Sequence, residues 1–339
     1  MQLKKLLIVP ALLLSACGSS NENVQPNNNE PNNNNNSEIL PCGEGEHNFQ
    51  FIERVEPTAY ERGYDLFRCS KCNVEERRNY TGVVEETNYD LSTEYKVLFV
   101  GNSHTFYNEL WAVFAEICRQ HSILVTVDQV TSGGYYLSQF ADLNNSYGRI
   151  LDEKLKTNSY DIVILQEHTF GSAINPAGFF TAVRVLHKKI IATGAQDVLY
   201  MPTQRRDGDA DAVREGLDQD SLTQKALANH DAIGEELSIP VSHCGVASFD
   251  VIKNHNEIPI QISDSHPTPA GTYLMALVHF ATIFGVSPLG IEYRFFENDM
   301  GSQYVLEQAA HKAAFGPSIL RNEYKISSVG IGDMPDWFF

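Results

Sequence analysis

From about residue 95 onward, short apolar runs alternate with stretches whose apolar residues recur at helical spacing. The first run, Val97–Val100, stops at Gly101, and an apolar helical repeat follows it. Continuous apolar runs are typical of strands that are covered on both faces. Strands that alternate with helices predict a layered α/β domain with a central parallel sheet. The expected strands lie at 97–100, 123–127, 161–166, 198–202 and 240–242.

The turn after the first expected strand, Gly101-Asn102-Ser103, carries a serine between a strand and a helix. A sharp turn of this kind lets a hydroxyl project past the carboxyl edge of the sheet, where open α/β sheets bind their ligands. Ser103 could equally be the cap of the following helix. On its own, the turn therefore leaves a nucleophile and a helix cap as alternatives.

Other polar groups follow later strands and could converge on the same edge. Acyl transfer needs a nucleophile, a base within hydrogen-bond reach, and donors aimed at the developing oxyanion. Ser103 and His266 could be the first two. The backbone N–H of Ser103, the N–H groups of Gly133 and Gly134, and the side-chain amide of Gln166 could be the donors.

Four short blocks, in this order, resemble those of the SGNH (GDSL-like) hydrolase superfamily: Gly101-Asn102-Ser103, Ser132-Gly133-Gly134, Leu165-Gln166-Glu167 and His266-Pro267. The glutamine block is similar to the branch that contains carbohydrate esterases. The resemblance spans roughly residues 95–284. It implies a three-layer, flavodoxin-like α/β domain, a nucleophilic serine, a histidine base and no cofactor for the chemistry.

One block departs from the family pattern, which usually has an aspartate three residues before the histidine. Ser263 occupies that position here, and Asp264 lies two residues before His266. An acid at this place would orient the imidazole and stabilise its charged form. Asp264 is the candidate for this role, and a Ser–His dyad is the alternative.

The first 17 residues resemble a bacterial lipoprotein signal. Lys4 and Lys5 precede a short apolar run that ends at Leu14-Ser15-Ala16-Cys17, a sequence similar to a lipobox. We therefore expect cleavage before Cys17, a lipid on its thiol, and a location in the cell envelope outside the cytoplasm. Residues 18–40 are rich in asparagine and predict a disordered tether.

Residues 41–80 predict a small separate module that contains Cys42, His47, Cys69 and Cys72. Three sulfurs and one nitrogen could form the tetrahedral set of a structural zinc, and the segment around Cys69 resembles one knuckle of a zinc ribbon. Cysteines outside the cytoplasm more often form disulfides, so a Cys69–Cys72 disulfide stays an alternative, as do free thiols. The polar stretch 81–94 then leads to the α/β domain, expected over 95–339, whose segment after about residue 286 is expected to pack over the core.

The formal charge of −18 argues against nucleic acid as a partner, because phosphate binding needs a basic face. The sequence as a whole predicts a cell-surface serine esterase that acts on O-acetyl groups, with acetylated carbohydrate or another small ester as the substrate. A binding lipoprotein that keeps the fold without the chemistry is one alternative. Another places the function in the 41–80 module, as a docking element.

Overall fold

The computed structural model describes residues 47–55, 63–81, 93–263, 265–291 and 300–315. Cys17, Cys42 and Asp264 lie outside these ranges, as do the expected signal and tether. No helix within the described ranges combines the length and the apolar content needed to cross a membrane.

A small antiparallel sheet comes first along the chain. Its strands are β1 (Phe49–Val55), β2 (Gly63–Cys69) and β3 (Glu75–Thr81), in the order β1-β2-β3. These strands fall almost entirely within the stretch 41–80 that was predicted to be a separate module. β1 is largely exposed, and the side chain of Phe51 is 55% exposed, so this strand buries little apolar surface.

The large sheet has five parallel strands in the order β5-β4-β6-β7-β8. Counted along this domain alone, that order is 2-1-3-4-5, the flavodoxin-like arrangement of doubly wound sheets. The α/β fold expected from the sequence is therefore confirmed. The strands are β4 (Glu94–Gly101), β5 (Leu124–Thr131), β6 (Ile162–Gln166), β7 (Gln196–Tyr200) and β8 (Val241–Ser242).

Helices cover both faces of the large sheet. The stretch between β5 and β6 forms two helices. The helices are α1 (Ser103–Phe106), α2 (Leu110–Gln120), α3 (Leu137–Ala141), α4 (Ser146–Thr157), α5 (Gly171–Ile174), α6 (Pro176–Ile191), α7 (Ala210–Arg214), α8 (Gln219–Leu237), α9 (Cys244–Asn254), α10 (Pro269–Phe284) and α11 (Met300–Phe315).

The core consists of two apolar layers, because successive side chains of a strand point to opposite faces. Val97 and Phe99 of β4 pack in the layer formed with α2, α9, α10 and α11. Leu98 and Val100 pack in the layer formed with α3, α4, α6 and α8. This three-layer arrangement holds the carboxyl ends of β4 and β6 side by side, at the point where the strand order reverses.

Candidate active site

Ser103 is the first residue of α1, and only Asn102 separates it from the carboxyl end of β4. Asn102 caps the helix, since its side-chain oxygen accepts a hydrogen bond from the His104 amide at 3.1 Å. At Gly101, a Cβ atom would lie 2.4 Å from the Thr105 hydroxyl and 2.5 Å from the Gln166 amide oxygen. The chain can therefore turn this tightly only because residue 101 is glycine.

The structure brings Ser103 and His266 together, although they are 163 residues apart in the sequence. The distance from Ser103 Oγ to His266 Nε2 is 2.8 Å, which is a good hydrogen bond. An imidazole nitrogen in this position can accept the serine proton as the oxygen attacks. Both side chains are partly buried, so a substrate can reach the hydroxyl.

Aromatic rings fix the plane of the His266 imidazole. The Tyr107 ring stacks on it with centroids 4.3 Å apart and an interplanar angle of 13°. The His104 ring lies 5.4 Å away at 27°. The sequence does not indicate this role of Tyr107, because nothing in the pattern of a single chain shows that a residue near the serine will stack on a distant histidine.

Asn108 connects the serine segment to the chain that follows His266. Its side-chain amide donates to the Pro267 carbonyl at 3.0 Å and to the Thr272 hydroxyl at 2.9 Å. Asn108 and its neighbour Glu109 both have left-handed backbone conformations, with φ values of 49° and 54°. Such residues carry local strain that the surrounding contacts must offset.

Gln166 occupies the end of β6, as expected, but its side chain is fully buried and directed into the serine turn. Its amide oxygen accepts from the Asn102 N–H and the Thr105 hydroxyl, both at 2.8 Å. Its amide nitrogen donates to Asn102 Oδ1 at 2.9 Å and to the Glu167 carbonyl at 2.6 Å. Both amide hydrogens are thus engaged within the protein, so an oxyanion role for Gln166 does not fit these hydrogen bonds. Its observed role is to hold the serine turn.

Gly133 and Gly134 form an exposed turn after β5, next to the serine segment. The Ser132 amide donates to the Gly101 carbonyl at 3.1 Å, and Asn102 Nδ2 donates to the Tyr135 carbonyl at 2.9 Å. Among the described residues, neither glycine amide donates a hydrogen bond. Their position leaves both N–H groups open to a substrate.

A buried titratable pair lies beside this edge, at the residues that follow Gln166. Burial raises the pKa of Glu167 to about 8, although the His168 and Leu137 amides donate to its carboxylate. Burial, and secondarily the positive charge of Arg205, lowers the pKa of His168 to about 4. The His168 ring stacks on Tyr136 with centroids 4.3 Å apart. Both groups are therefore largely uncharged near pH 7, and they form one side of the site.

A glutamine network holds the loop that carries His266. Gln261 Nε2 donates to the Gln204 carbonyl at 2.9 Å, and Gln219 Nε2 donates to the Gln261 side-chain oxygen at 2.8 Å. Ser265, with a left-handed φ of 70°, accepts from the Arg206 amide through its hydroxyl at 3.1 Å. These contacts determine where the imidazole lies.

Three of the four predicted metal ligands also converge, in the small sheet. The ligand atoms of His47, Cys69 and Cys72 all lie within 4.8 Å of one another. The predicted fourth ligand, Cys42, is outside the described residues, as is Asp264, the predicted acid.

Solved structures with similar folds agree with this description. A proposed SGNH hydrolase from Slackia heliotrinireducens is 25% identical, with a TM-score of 0.51, over 56% of this chain and 100% of that one. A DUF4886 family protein from Bacteroides uniformis ATCC 8492 is 14% identical, with a TM-score of 0.58, over 69% of this chain and 100% of that one. An acetyl xylan esterase also matches, at 14% identity and a TM-score of 0.44, a likeness too weak to support an inference.

No protein-family profile and no curated protein matches the sequence. The 2-1-3-4-5 parallel sheet and the structural similarity to the Slackia protein nevertheless identify the fold. The fold is that of the SGNH hydrolases.

Proposed function

We propose that this chain is a serine esterase. The observation that supports it most directly is the 2.8 Å contact between Ser103 Oγ and His266 Nε2 at the carboxyl edge of a parallel sheet. In the first step Ser103 Oγ attacks the ester carbonyl carbon, and its proton passes to His266 Nε2. The imidazolium then gives that proton to the alkoxide oxygen as the C–O bond breaks, which leaves the acyl group on Ser103.

A water molecule then hydrolyses the acyl-enzyme in a second step of the same kind. His266 takes a proton from the water, whose oxygen attacks the acyl carbon, and then returns a proton to Ser103 Oγ as the acid departs. In both steps negative charge develops on the carbonyl oxygen. The N–H groups of Ser103, Gly133 and Gly134 are the proposed donors to this oxygen, since the amide hydrogens of Gln166 are engaged elsewhere. Asp264 is the proposed acid that orients His266.

The proposed substrate is an O-acetyl group on carbohydrate. Aromatic side chains near the serine support this choice: Phe106 is 37% exposed, and Tyr107, Tyr135 and Tyr136 are partly exposed. Rings of this kind present an apolar face and, for tyrosine, a polar tip. The cell envelope is the proposed location, supported by the lipobox-like sequence that ends at Cys17.

Replacement of Ser103 tests the proposal. We expect Ser103→Ala to abolish hydrolysis of an aryl acetate and covalent labelling by a fluorophosphonate, because only an activated serine reacts. The matched control is Ser138→Ala, which removes an exposed hydroxyl of α3 and should leave both activities unchanged. Unlabelled wild-type protein, or turnover that survives Ser103→Ala, would contradict the esterase assignment and favour a binding protein of the same fold.

A further inference from the structure

The three-stranded sheet assembles a cluster of soft ligands outside the catalytic site. His47 precedes β1, Cys69 ends β2, and Cys72 lies in the turn that leads to β3. Antiparallel pairing sets Phe49 opposite Cys69, which brings the start of β1 to the end of β2. As a result, Cys72 Sγ lies 3.3 Å from His47 Nδ1. Ligand atoms bound to one tetrahedral zinc are separated by about 3.3–3.8 Å, given Zn–N and Zn–S bonds of about 2.0–2.3 Å.

Backbone amides around Cys69 suit a thiolate. The N–H groups of Asn48 and Lys71 both point at Cys69 Sγ, at 3.4 Å. An amide that donates to sulfur stabilises negative charge, and a thiolate is the form that binds metal. The turn is closed by Asn73, which has a left-handed φ of 59° and donates its amide to the Cys69 carbonyl at 2.9 Å. The loop thus directs several N–H groups toward one sulfur atom.

The His47 ring is positioned as well. It stacks on Phe49 with centroids 5.2 Å apart and an interplanar angle of 28°. This packing holds Nδ1 toward the two sulfur atoms, and all three ligand atoms lie within 4.8 Å of one another. The three donors, one imidazole and two thiols, come from three different parts of the sheet. Nitrogen and sulfur donors of this kind favour zinc, whereas calcium and magnesium prefer oxygen ligands.

The small sheet has little buried apolar surface to stabilise it among its described residues. β1 is largely exposed, and among the side chains of the sheet whose burial is described, only Cys69 and Asp65 are buried; the Asp65 carboxylate pairs with Arg54 at 2.7 Å. Sheets of this size without a sizeable apolar core are commonly stabilised by a metal or by disulfides.

We propose that His47, Cys69 and Cys72 bind a structural zinc ion, with Cys42 as the fourth ligand. Cys42 lies outside the described residues, but it precedes His47 by five positions, and a chain of that length spans up to about 17 Å. Four protein ligands leave no coordination position for a substrate, so the ion stabilises the sheet and takes no part in ester hydrolysis. This site is independent of the proposed function.

Metal analysis of the purified full chain tests the proposal. We expect about one zinc per chain, and after exchange with cobalt(II) an intense sulfur-to-cobalt charge-transfer band typical of tetrahedral thiolate sites. Cys69→Ser, Cys72→Ser and His47→Ala should each lose most of the bound metal. Cys118→Ala, which changes a buried cysteine of α2, should retain it, and so should Ser103→Ala.

Three other results would overturn the proposal or the four-ligand site. Wild-type protein without zinc that carries a Cys69–Cys72 disulfide, seen as a mass loss of two hydrogens, would overturn the proposal. Full zinc content in Cys69→Ser would do the same. Full zinc content in Cys42→Ser would overturn the closed four-ligand site. Fluorophosphonate labelling of Ser103 in the ligand variants reports whether the α/β domain is still folded, so loss of metal and global unfolding are distinguishable.

Discussion

Gln166 is the side chain on which the position of Ser103 most depends. It satisfies the Asn102 amide, the Thr105 hydroxyl and the Asn102 side-chain oxygen from the end of the neighbouring strand. All of these groups are buried. A buried polar group that loses its partner carries the full cost of its desolvation, about 1–3 kcal/mol each.

We therefore expect Gln166→Leu to lower the free energy of unfolding by about 2–5 kcal/mol, since it removes the partners of several buried groups at once. Esterase activity should fall with it, because the serine turn loses its anchor. Urea denaturation and aryl acetate turnover are the measurements. Gln120→Leu, an exposed glutamine at the end of α2, is the control. A loss of kcat with unchanged stability would point instead to a direct oxyanion role.

At the scale of elements, the site depends on two segments that carry no catalytic group. The short 3₁₀ segment after α1 holds the chain beyond His266 through Asn108. Helix α8 holds the loop before it, because Gln219 at its start bonds to the Gln204 carbonyl and to Gln261. His266 thus lies between two anchored points, and its position follows from both.

Gln219→Leu should misplace His266 without removing it. We expect kcat for an aryl acetate to fall by about tenfold or more with little change in KM, because small displacements of a general base are costly while the binding surface stays intact. The same helix provides the control, Gln224→Leu, whose side chain bonds only to Asp220 within α8 among the described residues. Equal kcat values for both variants would show that the network does not position the base.

Sequence patterns predicted the sheet and the two central site residues, for physical reasons. Both faces of the strand at 97–100 are buried, so its residues form a continuous apolar run that can be recognised in the sequence itself. Ser103 was identifiable because a parallel sheet gathers the ends of its strands at one edge, and His266 was identifiable because its block resembles that of the SGNH hydrolases. The bonding of Gln166 was not predictable, since the sequence does not specify which partners take its amide hydrogens. Tyr107 and Gln219 were missed for the same reason.

At the scale of the whole molecule, two buried histidines and one buried glutamate change the stability with pH in opposite directions. Burial lowers the pKa of His279 to about 3 and, despite its hydrogen bond to Ala226, the pKa of His230 to about 4. Their contributions are present above pH 6.5 and are lost as the pH falls toward the folded values. Glu167, with its pKa raised to about 8, contributes stability that is present below pH 4.5 and is lost as the pH rises to about 8. Stability should therefore be greatest at an intermediate pH.

His279→Leu tests the acid side of this balance. His279 is fully buried against the Phe99 and Tyr200 rings. Its removal should reduce the slope of unfolding free energy against pH between 6.5 and 4 by about 1.4 kcal/mol per pH unit, the value of one proton. Denaturant titrations at several pH values measure this slope. An unaltered slope in His279→Leu would refute the assignment.

The sequence separation of 163 positions between Ser103 and His266 also determines when reactivity can arise during biosynthesis. β4 and α1 leave the ribosome first, at which stage Ser103 is an ordinary alcohol with no base to activate it. Only after the segment through α10 has been translated can the loop of His266 dock against Tyr107. If the proposed mechanism holds, a nascent chain has no activated serine until His266 has been translated, and we expect truncated products that end before His266 to hydrolyse no esters.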